Sequence, residues 1–326
     1  MRQLLRPILL PFLRRRPDEV EKQARHFSLE GPDSGQLVAG VGRAFLGGYH
    51  AMLEARALGE VSVAAASVER HFRPFFFEGA AMGYLPRAYF TDDAGRDRVE
   101  ADLLAIDPRF RYLYYVGLGF WFGFRHPGRP AALEALAPHL DPFYFPLCYD
   151  GLGFKIGFFD VPARPALRSL LARAPARRRA QIYQGFGRAL FFVCMDEEGR
   201  FQREKAEAPA EHRNDLEAGR SLAFAFTGIR RPERMLLHFS SANDADELGS
   251  RLLGATWGLT AREMNDPDYF TECVGLLKPA EQALFRLLPQ RCREALSASS
   301  SYEEWRMKTK DAVISAYAAF EGTRRR

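Results

Sequence analysis

Four cysteines in 326 residues, Cys148, Cys194, Cys273 and Cys292, all sit in apolar segments without a paired short spacing. That pattern offers neither a zinc-finger ligand set nor a disulfide framework, and it suits a reducing, cytoplasmic setting. The seven histidines are scattered, with no HxxxH pair and no CxxC, so a metal site built by the protein is not expected. No apolar run approaches the roughly 20 residues a bilayer-spanning helix needs. Alternating apolar and polar runs are lacking and β-branched residues are sparse, which excludes a sheet protein. Acids are missing altogether from residues 1–16, where Arg2, Arg6, Arg14, Arg15 and Arg16 are interleaved with leucines, Ile8 and Phe12. Pro7 and Pro11 break that arm and no small-residue cleavage site follows it, so it is not a signal peptide. It reads as a basic amphipathic arm for an anionic membrane surface, or as a solvated terminus. The net charge of +5 comes without a nucleic-acid recognition motif, and no nucleic-acid partner is expected.

What the chain has in abundance is phenylalanine, 27 of 326 residues, and glycine in a recurring box. Tyr149-Asp150-Gly151-Leu152-Gly153-Phe154 is the clearest copy. Anchored on the first glycine, the boxes fall at Gly40, Gly79, Gly117, Gly151, Gly185, Gly219 and Gly254, spaced 39, 38, 34, 34, 34 and 35 residues apart. Two residues after each anchor stands a small side chain, and five after it a large apolar one. Such regularity is the signature of a repeat architecture. The fold expected is all-α, about seven helical-hairpin repeats of 34–39 residues forming an α/α toroid or, alternatively, an open α-solenoid. Residues 1–16 would be the arm and 17–326 a single domain.

In chain order, Pro17-Asp18-Glu19 opens a helix to about Phe27, and Asp33-Ser34 caps a long one to about Ala57. Further box helices are expected over Ser67–Phe90, from Pro108 to His126, around the fourth box, and over Ala176–Met195, Asp215–Phe226 and Asp244–Met264. Short amphipathic helices intervene at Val99–Ile106, Ala131–Leu140, Pro165–Ala174 and Pro232–Ser240. The charged stretch Asp196–Arg213 reads as a loop. Another helix starts after Leu277-Lys278-Pro279, and Ser301–Phe320 closes the chain.

Glycine inside a helix costs about 1 kcal/mol relative to alanine, so the boxes require a compensating reason. Small residues let helix backbones approach closely. The boxes follow no strand, so they are not a dinucleotide fingerprint, and no nucleotide cofactor is indicated. The residue before each anchor resists the packing explanation, because three copies are polar: Glu78, Asp150 and Gln184. Arg43 and Arg188 lie four residues on from that column, on the same helical face. In a closed array these groups would converge. Two readings stand: structural ion pairs, or a ligand-facing cluster with a carboxylate for acid–base work. The candidate catalytic residues are Glu78, Asp150 and Arg188. Gln184, Arg43, Tyr115, Tyr149, Phe154 and Lys155 are the candidate substrate-binding residues. His71, His126 and His139 lie near helix ends and read as capping or surface groups.

At Phe75-Phe76-Phe77-Glu78-Gly79-Ala80-Ala81-Met82, Tyr149-Asp150-Gly151-Leu152-Gly153-Phe154 and Gln184-Gly185-Phe186-Gly187-Arg188 the chain resembles the DUF1702 family. The likeness runs from Pro17 to about Arg306. The resemblance implies a bacterial protein of specialised metabolism, of the kind encoded beside enediyne polyketide synthases. It further implies membrane-associated partners and a long polyene substrate. Where the enediyne members tend to have His-Glu after the fourth box this chain has Lys155-Ile156, and Tyr115 replaces a His. Another lipophilic substrate is therefore equally in keeping with it. The function expected is an enzyme or enzyme-complex subunit binding a long apolar, polyene or isoprenoid-like molecule in an aromatic interior, at the inner membrane face or in the cytoplasm. The rival is a non-catalytic helical-repeat scaffold docking a protein partner.

Overall fold

A computed structural model of the chain describes residues 11, 13, 14, 16, 18–27, 29, 32–88, 95–160, 163–195 and 197–324. Most of the basic arm 1–16, and Thr91 to Ala94 of the loop after the second box, lie outside the described residues. Among the described residues 17 α-helices and no strand occur, with 79% helix, which settles the fold class as all-α.

The helices group into two compact units, residues 1–182 with 192–198, and residues 183–191 with 199–326. The first holds α1 (Asp18–Ala24), α2 (Pro32–Glu54), α3 (Gly59–Ala66), α4 (Arg73–Arg87), α5 (Val99–Ile106), α6 (Arg111–Arg125), α7 (Ala131–Glu134), α8 (Pro146–Phe159) and α9 (Ala163–Leu171). Helix α10 (Arg179–Val193) contributes its residues 183–191 to the second unit. With it are α11 (Glu198–Ala206), α12 (Arg213–Thr227), α13 (Glu233–Ser240), α14 (Ala245–Asn265), α15 (Pro267–Val274), α16 (Pro279–Ser297) and α17 (Tyr302–Arg324).

The box helices α2, α4, α6, α8, α10, α12 and α14 pack so closely that a methyl group would not fit between several of them. A Cβ added at Gly79 would strike the Phe45 carbonyl oxygen, at Gly117 that of Glu78, and at Gly151 that of Val116. In the second unit Gly219 meets Gln184 in the same way, and Gly254 meets Ala218. In every pair the anchor glycine receives the carbonyl of the residue just before the preceding anchor. Contacts that rise together along both chains, Phe45 with Gly79 and Tyr49 with Gly83, or Ala218 with Gly254 and Leu222 with Gly258, make these neighbours parallel. The intervening short helices return the chain.

This rule places the first anchor at Leu46, six residues after the glycine chosen from sequence. Gly79 sits on Phe45, one before Leu46. Gly48, two after it, meets the Phe76 carbonyl as Gly119 meets that of Cys148 and Gly187 that of Leu216. Gly40 and Gly42 instead face side chains, Phe72 and Val20. An anchor glycine receives the preceding box helix, and no box precedes the first, so leucine serves there. Arg43 consequently leaves the polar column and is exposed.

Three other expectations change. Helix α4 begins at Arg73, with Pro74 in its first turn where a missing N–H costs nothing, and Ser67 belongs to the turn before it. Within the charged stretch 196–213, Glu198–Ala206 folds as α11, whose Phe201 is buried beneath the Arg220 guanidinium at 3.9 Å. Helices α3 and α15 are additional. The second unit buries a continuous core of Leu252, Leu259, Phe270, Leu284, Phe285, Leu288 and Val313. Asp244 caps α14 by accepting from the Glu247 N–H at 2.8 Å.

Candidate functional site

Five polar residues, His126, Arg129, Lys155, Asp160 and Ser169, line a cavity in the first unit, and of these sequence reasoning singled out only Lys155 for a site. Lys155 leaves α8 one turn after Asp150, and its aliphatic stem crosses α6 at Gly123, where an added Cβ would lie 3.1–3.2 Å from it. The ammonium rests 5.0 Å above the Phe124 ring, a cation–π contact, and donates to Asp160 Oδ1 at 2.6 Å. Asp160 is the residue on which the chain leaves α8 in extended conformation, which turns its carboxylate back toward the helix. The Lys155 side chain is 8% exposed and that of Asp160 28%, so the lysine is buried and the carboxylate half-buried.

Around this pair His126, Pro127, Gly128, Arg129, Leu152, Ser169 and Leu170 enclose a cavity of about 140 Å³. Gly128 has φ +64, the left-handed region that favours glycine, and its carbonyl accepts from Arg173 Nη1 at 3.0 Å. The same guanidinium nitrogen donates to Ser169 Oγ at 3.0 Å. His126 ends α6 with its ring stacked on Phe122. Burial and then the charges of Arg125, Arg129 and Arg96 hold its pKa below the ordinary 6.5, so the imidazole is neutral at pH 7. The cavity therefore offers a cationic donor in Lys155, a neutral proton acceptor in His126 and a hydroxyl in Ser169.

Aromatic rings run from this cavity through the first unit. Phe124 contacts Phe159 at 5.0 Å, Phe159 contacts Phe158 at 4.9 Å, and Phe158 stacks on Phe154 at 5.3 Å. Phe154 then meets Phe120 at 5.1 Å, and Phe120 meets Phe45 at 5.1 Å. Phe45, Phe124 and Phe159 are only half-buried, so the row reaches the surface at both ends. Of the expected ligand-binding residues, Phe154 belongs to this row and Lys155 to the cavity.

The others are placed differently. Tyr115 Oη donates to Glu100 Oε1 at 2.6 Å, and Tyr149 Oη donates to Glu134 Oε1 at 2.6 Å. Each acid lies 15 residues before its tyrosine, on the short helix between two boxes. The tyrosines thus latch the short helices α5 and α7 to the box helices. Burial, and then the hydrogen bond to Glu100 or Glu134, pushes both phenols far above their usual range, so they remain donors. Glu78, Asp150, Gln184 and Arg188 are buried. Glu78 and Asp150 belong to the first unit, Gln184 and Arg188 to the second. None of the four lines the cavity at Lys155. Of the histidines, His139 pairs with Asp97 at 3.2 Å at a helix end, whereas His71 is buried against Phe72.

Asp160, Ser169 and Gly123 escaped the sequence reading. The available signal was the third glycine of the α6 series, Gly117, Gly119 and Gly123, which falls one turn beyond the box and opposite a lysine. The second unit carries a separate buried charge network. Glu217 accepts from Lys205 at 2.8 Å and from Arg251 Nε at 3.0 Å, and Glu247 accepts from both Lys205 and Arg251. Every carboxylate there is paired, which marks a structural cluster. Among the described residues no group of three or more His, Cys, Asp or Glu side chains could hold a metal ion, and no helix is long and apolar enough to cross a membrane.

No curated protein and no solved structure matches the chain. One family model does, over residues 3–313, nearly the whole length and including every box and the cavity at Lys155. By that match the chain belongs to DUF1702, a family described as protein of unknown function.

Proposed function

We propose that this protein is an enzyme, or a subunit of an enzyme complex, of bacterial specialised metabolism that binds a long apolar molecule of polyene or isoprenoid type. The observation that carries the reading is the row of aromatic rings from Phe45 to Phe124, which ends on the Lys155 ammonium and its cavity. The rings, one pair stacked and the rest tilted or edge-to-face, form an apolar track suited to a long unsaturated chain, and a cavity of about 140 Å³ is too small for a whole ligand of the usual 300–1,000 Å³ pocket class. It suits the polar end of a molecule whose body lies along the rings. Lys155 and neutral His126 would supply the donor and the acceptor for proton transfer there. Glu78 and Asp150 remain candidate acids or bases, with Gln184 and Arg188 as polar contacts. The wider expectations, a place beside enediyne-type synthases, a membrane-associated partner and an arm lying on an anionic inner membrane face, follow from the family resemblance and the sequence of residues 1–16.

The test is saturable binding of a neutral polyene alcohol, followed by the shift of its absorption band. Binding should reach one equivalent, and Phe124→Ala, at a half-buried position, should weaken it about tenfold, at the upper end of what one aromatic contact contributes beyond its area. A folded protein that shows no saturable band shift rejects the reading. Reaction of a bound substrate that stops in Glu78→Gln or Asp150→Asn would add those carboxylates to the chemistry.

A second reading, a scaffold, has its own observation. Between α16 and α17 a groove of about 520 Å³ is lined by Leu284, Leu287, Ala316, Ala319 and Phe320. Exposed apolar grooves of this kind receive partner helices. Within each unit the parallel register of the box helices supports a helical-repeat array. Small-angle scattering on the whole protein would separate a closed toroid from an open solenoid.

A further inference from the structure

The cavity at Lys155 is surrounded by positive charge that the protein itself leaves unanswered. Arg129 lines it, and Arg125 and Arg96 lie close enough to act on His126. Among the described residues none of these three exposed guanidinium groups makes an ion pair or a side-chain hydrogen bond. Arg173, on Gly128 and Ser169 of the wall, and Lys155 bring the cations to five, and against them stands one carboxylate on the cavity wall, Asp160, paired with Lys155. Buried cations are instead paired with carboxylates, as Lys205 and Arg251 are with Glu217. Donors are also left over. The Lys155 ammonium has three N–H groups and gives one to Asp160. Ser169 Oγ accepts from Arg173, which leaves its own hydroxyl proton available to the cavity it lines.

We propose that this cavity binds the anionic end group, a carboxylate or a phosphate, of an otherwise apolar ligand. Lys155 and the Ser169 hydroxyl would contact the anion directly. Arg129 would close over it from the rim, where a guanidinium can engage two oxygens of either group at once. Arg125 and Arg96 would add long-range attraction, which salt screens over about 8–10 Å. His126 would accept a proton from a protonated acid or become charged beside the bound anion. Only the apolar body of the ligand depends on the lipophile reading above; the anion site stands on the cavity and its cations.

The experiment compares ligands with one and the same eight-carbon chain by calorimetry: octanoate, octyl phosphate and neutral octanol, with inorganic phosphate alone as the fourth arm. The expected result is binding of at least one charged amphiphile ten times or more tighter than octanol, weakening as salt rises. Arg129→Ala, at an exposed position that does not threaten folding, should reduce that preference severalfold. Lys155→Met, which keeps the stem beside Gly123, should abolish it. Equal affinity for the charged and neutral chains overturns the anion site while leaving a lipophile site intact. If no amphiphile binds but inorganic phosphate moves the His126 ring signals by NMR, the anion site holds and the lipophile reading falls. No response in any of the four arms rejects both.

Discussion

Replacing Gly254 by alanine adds one methyl group at one of the closest backbone approaches of the second unit. The new Cβ would lie 1.9 Å from the Ala218 carbonyl oxygen, about 1.5 Å short of the 3.4 Å at which ordinary contact begins. The obstacle is main chain on both sides, so no rotamer change relieves it, and α14 must move away from α12. Overpacking usually costs 1–3 kcal/mol, and an unyielding obstacle puts this case near 3. Alanine returns about 1 kcal/mol of helix propensity, which leaves a net loss of about 2. At roughly 3 °C per kcal/mol for a domain of this size, the melting temperature should fall by about 6 °C. Thermal denaturation followed by tryptophan fluorescence reads this directly, because Trp257 and Trp305 lie against each other in the same unit at 5.7 Å. The control is Gly35→Ala in α2, where nothing lies within 4 Å, and which should leave stability unchanged or raise it by up to about 1 kcal/mol. A Gly254→Ala protein that melts no lower than the parent refutes the account of the box as a backbone-contact device.

Tyr149→Phe removes the donor to Glu134 and should destabilise the protein by about 1.5–3 kcal/mol, with no change in ligand affinity per folded molecule. A change in affinity without loss of stability would return Tyr149 to the ligand site. Glu217→Ala leaves Lys205 and Arg251 facing only Glu247 and should cost about 3–5 kcal/mol in denaturant titrations. Glu247 is pulled two ways: burial raises its pKa, but hydrogen bonds from Lys205 and Asn243 and the charges of Lys205 and Arg251 outweigh it and lower the value below 4.5. Its folded pKa is depressed, so its contribution to stability is complete above about pH 4.5 and is lost as pH falls through the folded value. Glu247→Gln should therefore flatten the acid limb of the stability curve. Arg129→Ala should raise the His126 pKa toward 6.5, because it removes one of the charges that depress it; an unchanged NMR titration would contradict the placement of Arg129 beside the ring.

The sequence by itself determined the fold class and most of the helices, which depend on local pattern. Helix-forming residues without alternation fix an all-α chain, the glycine pairs mark the helices that pack most tightly, and Val99–Ile106 and the Asp244 cap could be read from their own residues. Tertiary structure decided whatever depends on which helix lies beside which. Gly40 and Leu46 trade places as first anchor because the relevant carbonyl, that of Phe45, is recognised only when α4 is seen against α2. Arg43, which shares a face with the polar column only in the wrong register, is exposed for the same reason. The stretch around Phe201 looks like a solvated loop until Arg220 covers its single buried ring. Tyr115 and Tyr149 look alike as interior aromatics, yet their hydroxyls turn to acids 15 residues upstream, a direction that spacing along one helix does not encode. The cavity at Lys155 joins Gly123, His126, Asp160 and Ser169 across three helices. Each is an ordinary residue in its own segment, and only the packing of α6, α8 and α9 makes them one site.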